Sequence, residues 1–132
     1  MEIRKAEKRD LNELISLLSE LTVVGKPDQI NDEVFENIFL AIIGDKIIAC
    51  STILIENKII HEGSKVGHIE DVVVTKEHRG KGIGQSLIDY CVKIAKEKGC
   101  YKVILDCNSE NAEFYQKCGF KVAGVCMRLD IN

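Results

Sequence analysis

The chain has 132 residues, of which 45% are hydrophobic and 30% are charged, and its formal net charge at pH 7 is −3. This length predicts a single domain, residues 1–132, with its own core. The slightly acidic balance argues against a nucleic-acid-binding module, and no apolar run is long enough to span a bilayer.

The six cysteines form no Cys-x-x-Cys pair, so no metal site is expected. The segment Met1–Arg4 lacks the apolar stretch of a signal peptide. We therefore expect a cytoplasmic protein with reduced thiols.

The first half of the chain is predicted to alternate strands and helices. Periodic or continuous apolar residues predict strands at 2–6, 39–43 and 47–56. Capping residues followed by apolar positions predict helices at 10–21 and 31–38. The first of these helices begins with an Asp10–Glu13 capping box, and Gly44-Asp45 predicts a hairpin turn between the second and third strands.

The second half continues the alternation. Strands are predicted at 67–74, 101–106 and 120–129, and helices at 83–98 and 108–117. Gly99 and Gly119 are expected to end the two helices. Interspersed elements of this kind predict an α/β domain with one mixed sheet.

A glycine-rich loop, Arg79-Gly80-Lys81-Gly82-Ile83-Gly84, joins a predicted strand to a predicted helix. Glycines let backbone N–H groups approach an anion closely, and a helix N-terminus favours negative charge. Arg79 and Lys81 add positive charge at the same place. The loop therefore predicts a phosphate-binding site.

Three kinds of phosphate ligand fit such a loop to different degrees. A nucleotide P-loop ends in Gly-Lys-Ser/Thr, whereas Gln85 follows Gly84 here. A dinucleotide site is favoured by Asp106, about 22 residues after Gly84, but its third glycine falls on Gln85, and residues 75–79 delay the first glycine. The third kind, the pyrophosphate loop of an acyl-coenzyme A transferase, has the pattern Arg/Gln-x-x-Gly-x-Gly/Ala, which the chain matches throughout.

This loop pattern resembles that of the GNAT superfamily of N-acetyltransferases. Several longer segments strongly resemble the glucosamine 6-phosphate N-acetyltransferase family: 67–74, 99–107 and 114–120, with 21–25 and 58–62. The span between Gly25 and Lys58 is shorter than expected for that family. The resemblance implies the GNAT acyl-coenzyme A N-acyltransferase fold, with a central, mostly antiparallel sheet flanked by about four helices.

The resemblance also implies an activity. Acetyl would pass from acetyl-coenzyme A directly to the amine of D-glucosamine 6-phosphate, without metal or covalent intermediate. The product would be N-acetyl-D-glucosamine 6-phosphate, a precursor of UDP-N-acetylglucosamine. The family further implies a homodimer that buries the last strand against its partner. Two alternatives stay open: a GNAT enzyme for another small amine or a protein N-terminus, and a non-catalytic acyl-coenzyme A-binding module.

Three residues are catalytic candidates. Glu70 lies among apolar residues, where burial would raise its pKa and make it a better base, although a surface carboxylate fits its position equally well. The family match assigns Asp106 to sugar binding or to accepting the amine proton, whereas position alone suggests a helix cap. It assigns Tyr115 to protonation of the departing thiolate, against an ordinary core role.

The resemblance implies two sets of binding residues. The coenzyme A contacts are Glu70, Asp71, Val72, His78, Arg79, Gly80, Lys81, Gly82, Ile83, Gly84, Asn111, Phe114 and Tyr115. The sugar phosphate contacts are Thr22, Lys58, Ile59, Ile60, His61, Glu70, Asp106 and Arg128. A bulge in the strand near Asp71 would free amides that bind the pantetheine arm and polarise the acetyl carbonyl.

Overall fold

A five-stranded sheet runs through the molecule in the order β1-β2-β3-β4-β5. The computed structural model describes all residues, Met1–Asn132. The strands are β1 (Glu2–Lys5), β2 (Ile38–Ile43), β3 (Lys46–Asn57), β4 (Lys65–Val74) and β5 (Cys100–Ile104). Neighbours from β1 to β4 are antiparallel, and β5 is parallel to β4. The predicted mixed, mostly antiparallel sheet is confirmed.

Four helices accompany the sheet: α1 (Leu11–Leu18), α2 (Ile60–Gly63), α3 (Ile83–Glu97) and α4 (Ala112–Lys117). None of them has both the length and the apolar character needed to cross a membrane. The helix predicted at 31–38 is only a 3-10 turn, Asp32–Glu36, because Ile38 already begins β2. Helix α2 is a single turn in which His61 and Glu62 have left-handed backbone angles.

The core lies on both faces of the sheet. Successive side chains of a strand point to opposite faces. Leu40 of β2 therefore packs with Leu14 of α1, whereas the adjacent Ala41 packs with Leu87 of α3. This two-layer burial holds α1 and α3 against opposite sides of the central strands.

The start of α1 differs from the predicted capping box. The Asp10 carboxylate accepts hydrogen bonds from the Arg4 guanidinium at 2.8 and 2.9 Å and from the Glu7 amide at 2.8 Å. Glu13 accepts instead from the Ile47 amide at 2.6 Å. Both carboxylates thus fix the helix to neighbouring segments. Neither is therefore available for the capping box predicted between Asp10 and Glu13.

The predicted closing strand at 120–129 is wrong for the single chain. No strand follows α4, and the side chains of Val125, Met127 and Leu129 are 86%, 87% and 85% exposed. A strand requires a neighbouring backbone for its hydrogen bonds, and this segment has none. For the same reason β5 has no neighbour on its outer side, and Tyr101 and Ile104 are exposed rather than buried.

Candidate active site

A β-bulge interrupts the pairing of β4 with β3. Thr52 pairs with Glu70 and Cys50 pairs with Val73, so Asp71 and Val72 together face Ser51 alone. The bulge places Asp71 at a positive φ of 51°, which is uncommon for a residue with a side chain. The distortion predicted for this position is therefore present, and it turns the local backbone out of the regular ladder.

On the side of β4 that faces β5, the pairing of the two strands ends close to the bulge. The parallel pairing with β5 ends at His68 and Ile104, whereas β4 continues to Val74. Beyond that pair, the β5 side of β4 has no strand to satisfy its amides. The opening can receive an extended ligand by hydrogen bonds to main-chain groups, as an added strand would.

The glycine loop follows this opening directly. Gly80 and Gly82 have left-handed backbone angles, with φ of 77° and 80°. The amides from Gly80 to Gly84 donate to no backbone carbonyl, and they lie at the start of the 15-residue helix α3. Unpaired amides at a helix N-terminus are suited to bind an anion.

The positive side chains of the loop differ in their surroundings. Arg79 donates from Nε to the Val74 carbonyl at 2.9 Å, and its Nη2 lies 3.7 Å from a Glu20 carboxylate oxygen. The Arg79 guanidinium is thus already engaged within the chain, whereas Lys81 is exposed and forms no ion pair. The loop therefore presents backbone amides and one free ammonium group to an anion.

Helix α4 packs closely against the beginning of α3. A Cβ atom built on Gly84 would lie 3.0 Å from the Phe114 ring, so only glycine allows this approach. The same contact positions Tyr115, whose half-buried ring meets Phe114 at 5.0 Å and Phe120 at 6.2 Å. Burial and the nearby thiols of Cys107 and Cys118 raise the pKa of Tyr115, which keeps the phenol protonated near neutral pH. Asn111 is the exposed N-cap residue of this helix.

Glu70 and Asp106 come together at the end of the opening. Burial, followed by the charge of Asp106 and then that of Asp71, raises the pKa of Glu70. Asp106 accepts a hydrogen bond from the Cys126 thiol at 3.4 Å. The raised pKa makes Glu70 better suited to accept a proton near neutral pH than an ordinary carboxylate is.

The acceptor-side candidates separate into two places. Thr22 lines an apolar groove of about 330 Å³, which also reaches Thr52 and Asp71 beside the bulge. Lys58 lies four residues beyond Leu54, the last strand residue that lines this groove, or about 13 Å along the strand direction. None of the four residues of the strip, Lys58, Ile59, Ile60 and His61, lines the groove in one chain.

The two cationic side chains predicted to bind the sugar phosphate, Lys58 and Arg128, are already paired with carboxylates of this chain. Lys58 pairs with Glu56 at 3.1 Å, and the other Glu56 oxygen lies 2.8 Å from the His68 ring. Arg128 donates to Asp130 at 2.7 Å in the exposed C-terminal segment. A phosphate bound at Lys58 would have to compete with Glu56.

Three residues near the site were not predicted from the sequence: Glu20, Glu56 and Cys126. Each contacts a predicted site residue across the fold or along a strand, and none belongs to a local motif. Each also lies two residues before a predicted site residue, Thr22, Lys58 or Arg128, and this spacing was the signal in the chain itself. His78, predicted to contact coenzyme A, ends the 3-10 turn before the loop, and its buried Nδ1 lacks a partner.

Comparison with known proteins identifies the family. The model of the acetyltransferase (GNAT) family matches residues 10–120. The chain belongs to the GNAT acetyltransferase family. Its bulged β4, shortened β4–β5 pairing and glycine loop are therefore features of a GNAT protein.

Individual relatives show which GNAT enzymes this chain is similar to. It is 40% identical to the glucosamine 6-phosphate N-acetyltransferase of Arabidopsis thaliana, over 95% of this chain and 93% of that protein. The crystal structure of the Arabidopsis enzyme matches with a TM-score of 0.88 at 36% identity, over 99% of this chain and 98% of that one. The Candida albicans enzyme is 51% identical over 61% of this chain, a match that spans about half (54%) of that relative's length. The predicted resemblance to this family is confirmed.

Proposed function

We propose that this GNAT protein transfers acetyl from acetyl-coenzyme A to the amine of D-glucosamine 6-phosphate. The observation that carries the proposal is the opening between β4 and β5, which leads to the free amides of the glycine loop. Similarity to the Arabidopsis enzyme over almost the whole chain supports the choice of acceptor. The N-acetylated sugar phosphate would then serve as a precursor of UDP-N-acetylglucosamine.

The amides from Gly80 to Gly84, together with Lys81, would bind the pyrophosphate of the coenzyme. Backbone groups at Asp71 and Val72 would hold the pantetheine arm, and the bulge allows one amide to donate to the acetyl carbonyl. Such a donor stabilises the oxyanion that forms when the amine attacks.

The attack requires a neutral amine, and Glu70 with Asp106 would accept the proton that the ammonium group loses. The nitrogen then bonds to the acetyl carbon, the carbon–sulfur bond breaks, and the nitrogen releases its second proton to solvent as the amide forms. Tyr115 would donate its phenolic proton to the departing thiolate and regain one from solvent. The raised pKa values of Glu70 and Tyr115 support these two roles, since each group would hold a proton at the required stage.

Direct transfer is supported by the state of the buried thiols. Burial raises the pKa of Cys50 to about 12 and that of Cys91 to about 11, so neither is a thiolate at neutral pH. Hydrogen bonding to Asp106 raises the pKa of Cys126 as well. A thiol that stays protonated is a poor acceptor of acetyl, which disfavours a covalent intermediate.

We also propose that the protein is a homodimer. The C-terminal segment exposes Val125, Met127 and Leu129 almost completely, and β5 has a free outer edge. An exposed apolar segment and an open sheet edge favour pairing with another chain. A second copy would also supply the Lys58 strip, which does not line the groove in one chain, to its partner's site.

The cell compartment and the metal requirement stay predictions. All six cysteines are free, which supports the reducing cytoplasm as the location. No group of three or more His, Cys, Asp or Glu side chains is arranged to hold a metal ion.

The test is a thiol-release assay with acetyl-coenzyme A and either glucosamine 6-phosphate or glucosamine. We expect rapid release only with the phosphorylated sugar, and kcat/KM lower by at least about 100-fold for glucosamine because the phosphate contacts are lost. No release with glucosamine 6-phosphate would refute the proposed acceptor. Equal rates with both sugars would refute a phosphate site.

The dimer is tested by light scattering of the purified protein and of Met127→Asp. We expect the wild type to have twice the monomer mass and the variant to be monomeric with weaker sugar phosphate binding. A monomeric wild type that turns over normally would exclude a site shared between chains.

A further inference from the structure

Glu20 forms a set of contacts that the proposed chemistry does not use. It lies just beyond α1, and its carboxylate accepts hydrogen bonds from the Thr75 hydroxyl at 3.0 Å and the Lys76 amide at 3.2 Å. The same carboxylate lies 3.7 Å from the Arg79 guanidinium. Thus one side chain joins the end of α1 to three residues that are more than fifty positions away.

These three residues belong to the segment 75–79, which leads from β4 into the glycine loop. Thr75 is only 8% exposed, and its amide donates to the Ile48 carbonyl at 2.8 Å, which fixes the first residue to the sheet. Arg79 bonds back to the Val74 carbonyl at 2.9 Å at the other end of the segment. Glu20 makes polar contacts with both ends of the segment, so it helps to set where the loop begins.

Electrostatics alone would not favour a carboxylate at this position. A negative charge beside a pyrophosphate site repels the ligand. Glu20 also engages Arg79, which reduces the positive charge available to a bound anion. Its contacts therefore make sense as support for the loop, and not as ligand recognition.

We propose that Glu20 is a positioning residue for the coenzyme A loop. It acts through Thr75, Lys76 and Arg79, and it holds the amides of Gly80 to Gly84 in the orientation that binds pyrophosphate. The proposal rests on the proposed function, since it takes coenzyme A as the ligand of that loop.

The acceptor side is held independently of this carboxylate. The amides of Leu21 and Thr22 both donate to the Leu18 carbonyl, at 2.9 and 3.2 Å. Loss of the Glu20 carboxylate should therefore leave Thr22 in place. This separation predicts an effect on the coenzyme and little effect on the sugar phosphate.

The test compares Glu20→Ala with the wild type in steady-state kinetics and in calorimetric titration with coenzyme A. We expect the KM for acetyl-coenzyme A and the Kd for coenzyme A to rise about tenfold, as for the loss of charge-assisted hydrogen bonds. The kcat and the KM for glucosamine 6-phosphate should stay within about twofold, because the chemical groups and Thr22 are unaffected. Glu20→Gln, which keeps one acceptor oxygen, should give an intermediate value.

Glu13→Ala is the matched control, because Glu13 also lies on the α1 side of the sheet and binds one distant backbone amide, that of Ile47. It should lower thermal stability without changing coenzyme A affinity. Thr75→Val removes one of the Glu20 contacts with little change in shape, and it should weaken coenzyme A binding less than Glu20→Ala does.

Three results would overturn the proposal. The first is an unchanged coenzyme A affinity in folded Glu20→Ala. The second is tighter binding, which would make Glu20 a competitor for Arg79. The third is an equal loss in Glu13→Ala, which would indicate a general effect on the fold. Calorimetry needs no acceptor, so failure of wild-type turnover with the sugar refutes the proposed acceptor while the role of Glu20 is still decided.

Discussion

Replacing Tyr115 with Phe removes one hydroxyl group from the centre of the proposed site. The ring keeps its edge contacts with Phe114 at 5.0 Å and Phe120 at 6.2 Å. The pKa of the phenol is raised by burial and by neighbouring thiols, with no contribution from a hydrogen bond. The fold thus loses almost nothing, and we expect the free energy of unfolding to change by less than about 1 kcal/mol.

The effect on catalysis should be much larger. Without a proton donor, the thiolate must leave unprotonated or take a proton from water. General acid catalysis contributes about 10²- to 10⁴-fold, and water replaces part of it, so we expect kcat to fall by about 10- to 1000-fold. A 100-fold loss corresponds to about 2.7 kcal/mol of transition-state stabilisation. The KM for acetyl-coenzyme A should change by less than about threefold, because the loop and β4 contacts are retained.

The assay is thiol release at saturating glucosamine 6-phosphate, with acetyl-coenzyme A varied. Tyr90→Phe is the control, since that ring also packs in an aromatic pair, 5.4 Å from Phe39, but on the middle of α3. The control should retain full kcat. Wild-type kcat in Tyr115→Phe, or an equal loss in both variants, would remove Tyr115 from the mechanism.

Three further predictions concern stability. Asp10→Asn should lower the free energy of unfolding by about 2–3 kcal/mol at pH 7, measured in urea, because it breaks the ion pair with Arg4. The Arg4 bonds hold the pKa of Asp10 below 3.8, so the difference from the wild type should vanish as the pH falls below that value. A difference that is constant with pH would contradict the role of the ion pair. Gly67→Ala should cost about 1–3 kcal/mol by the same measurement, because its new Cβ would lie 3.1 Å from the Ile53 side chain, whereas Gly124→Ala meets nothing and should be neutral. Glu70→Gln should abolish most turnover yet raise the Tm by a few degrees at neutral pH. The reason is that the pKa of Glu70 is raised above 4.5, so the fold disfavours its ionised form. Calorimetry should show that the gain in Tm disappears below pH 4.5, where the carboxyl is protonated in both the folded and the unfolded protein.

The features predicted correctly from the sequence are determined by neighbouring residues. The positive φ angles of Gly80 and Gly82 follow from the absence of a side chain, and a helix begins where the apolar period begins at Ile83. The position of the bulge at Asp71 was predicted through resemblance to a family, since no local rule requires it there. The 40% identity to the Arabidopsis relative, over 95% of this chain, explains why that resemblance was sufficient to place the bulge.

Two of the missed contacts join distant segments. Glu20 and Thr75 are separated by 55 residues, and Asp106 and Cys126 by 20, so no periodicity relates them. In each contact, a polar side chain meets a partner that lies nearby only because of how α1 or the C-terminal segment packs. Sequence patterns indicate which residues are buried and where turns occur, but the pairing of individual polar groups depends on the completed fold.

The C-terminal segment is the most instructive difference, because its alternating pattern predicted a strand that the single chain does not form. Val125, Met127, Leu129 and Ile131 alternate with polar or small residues, which is the period of a strand with one apolar face. In the single chain all four are at least 85% exposed. Such alternation is typical of a strand that buries its apolar face, and the sheet of the single chain does not bury this one. We therefore expect another molecule to cover the segment, and the free edge of β5 in a second copy is the partner we propose.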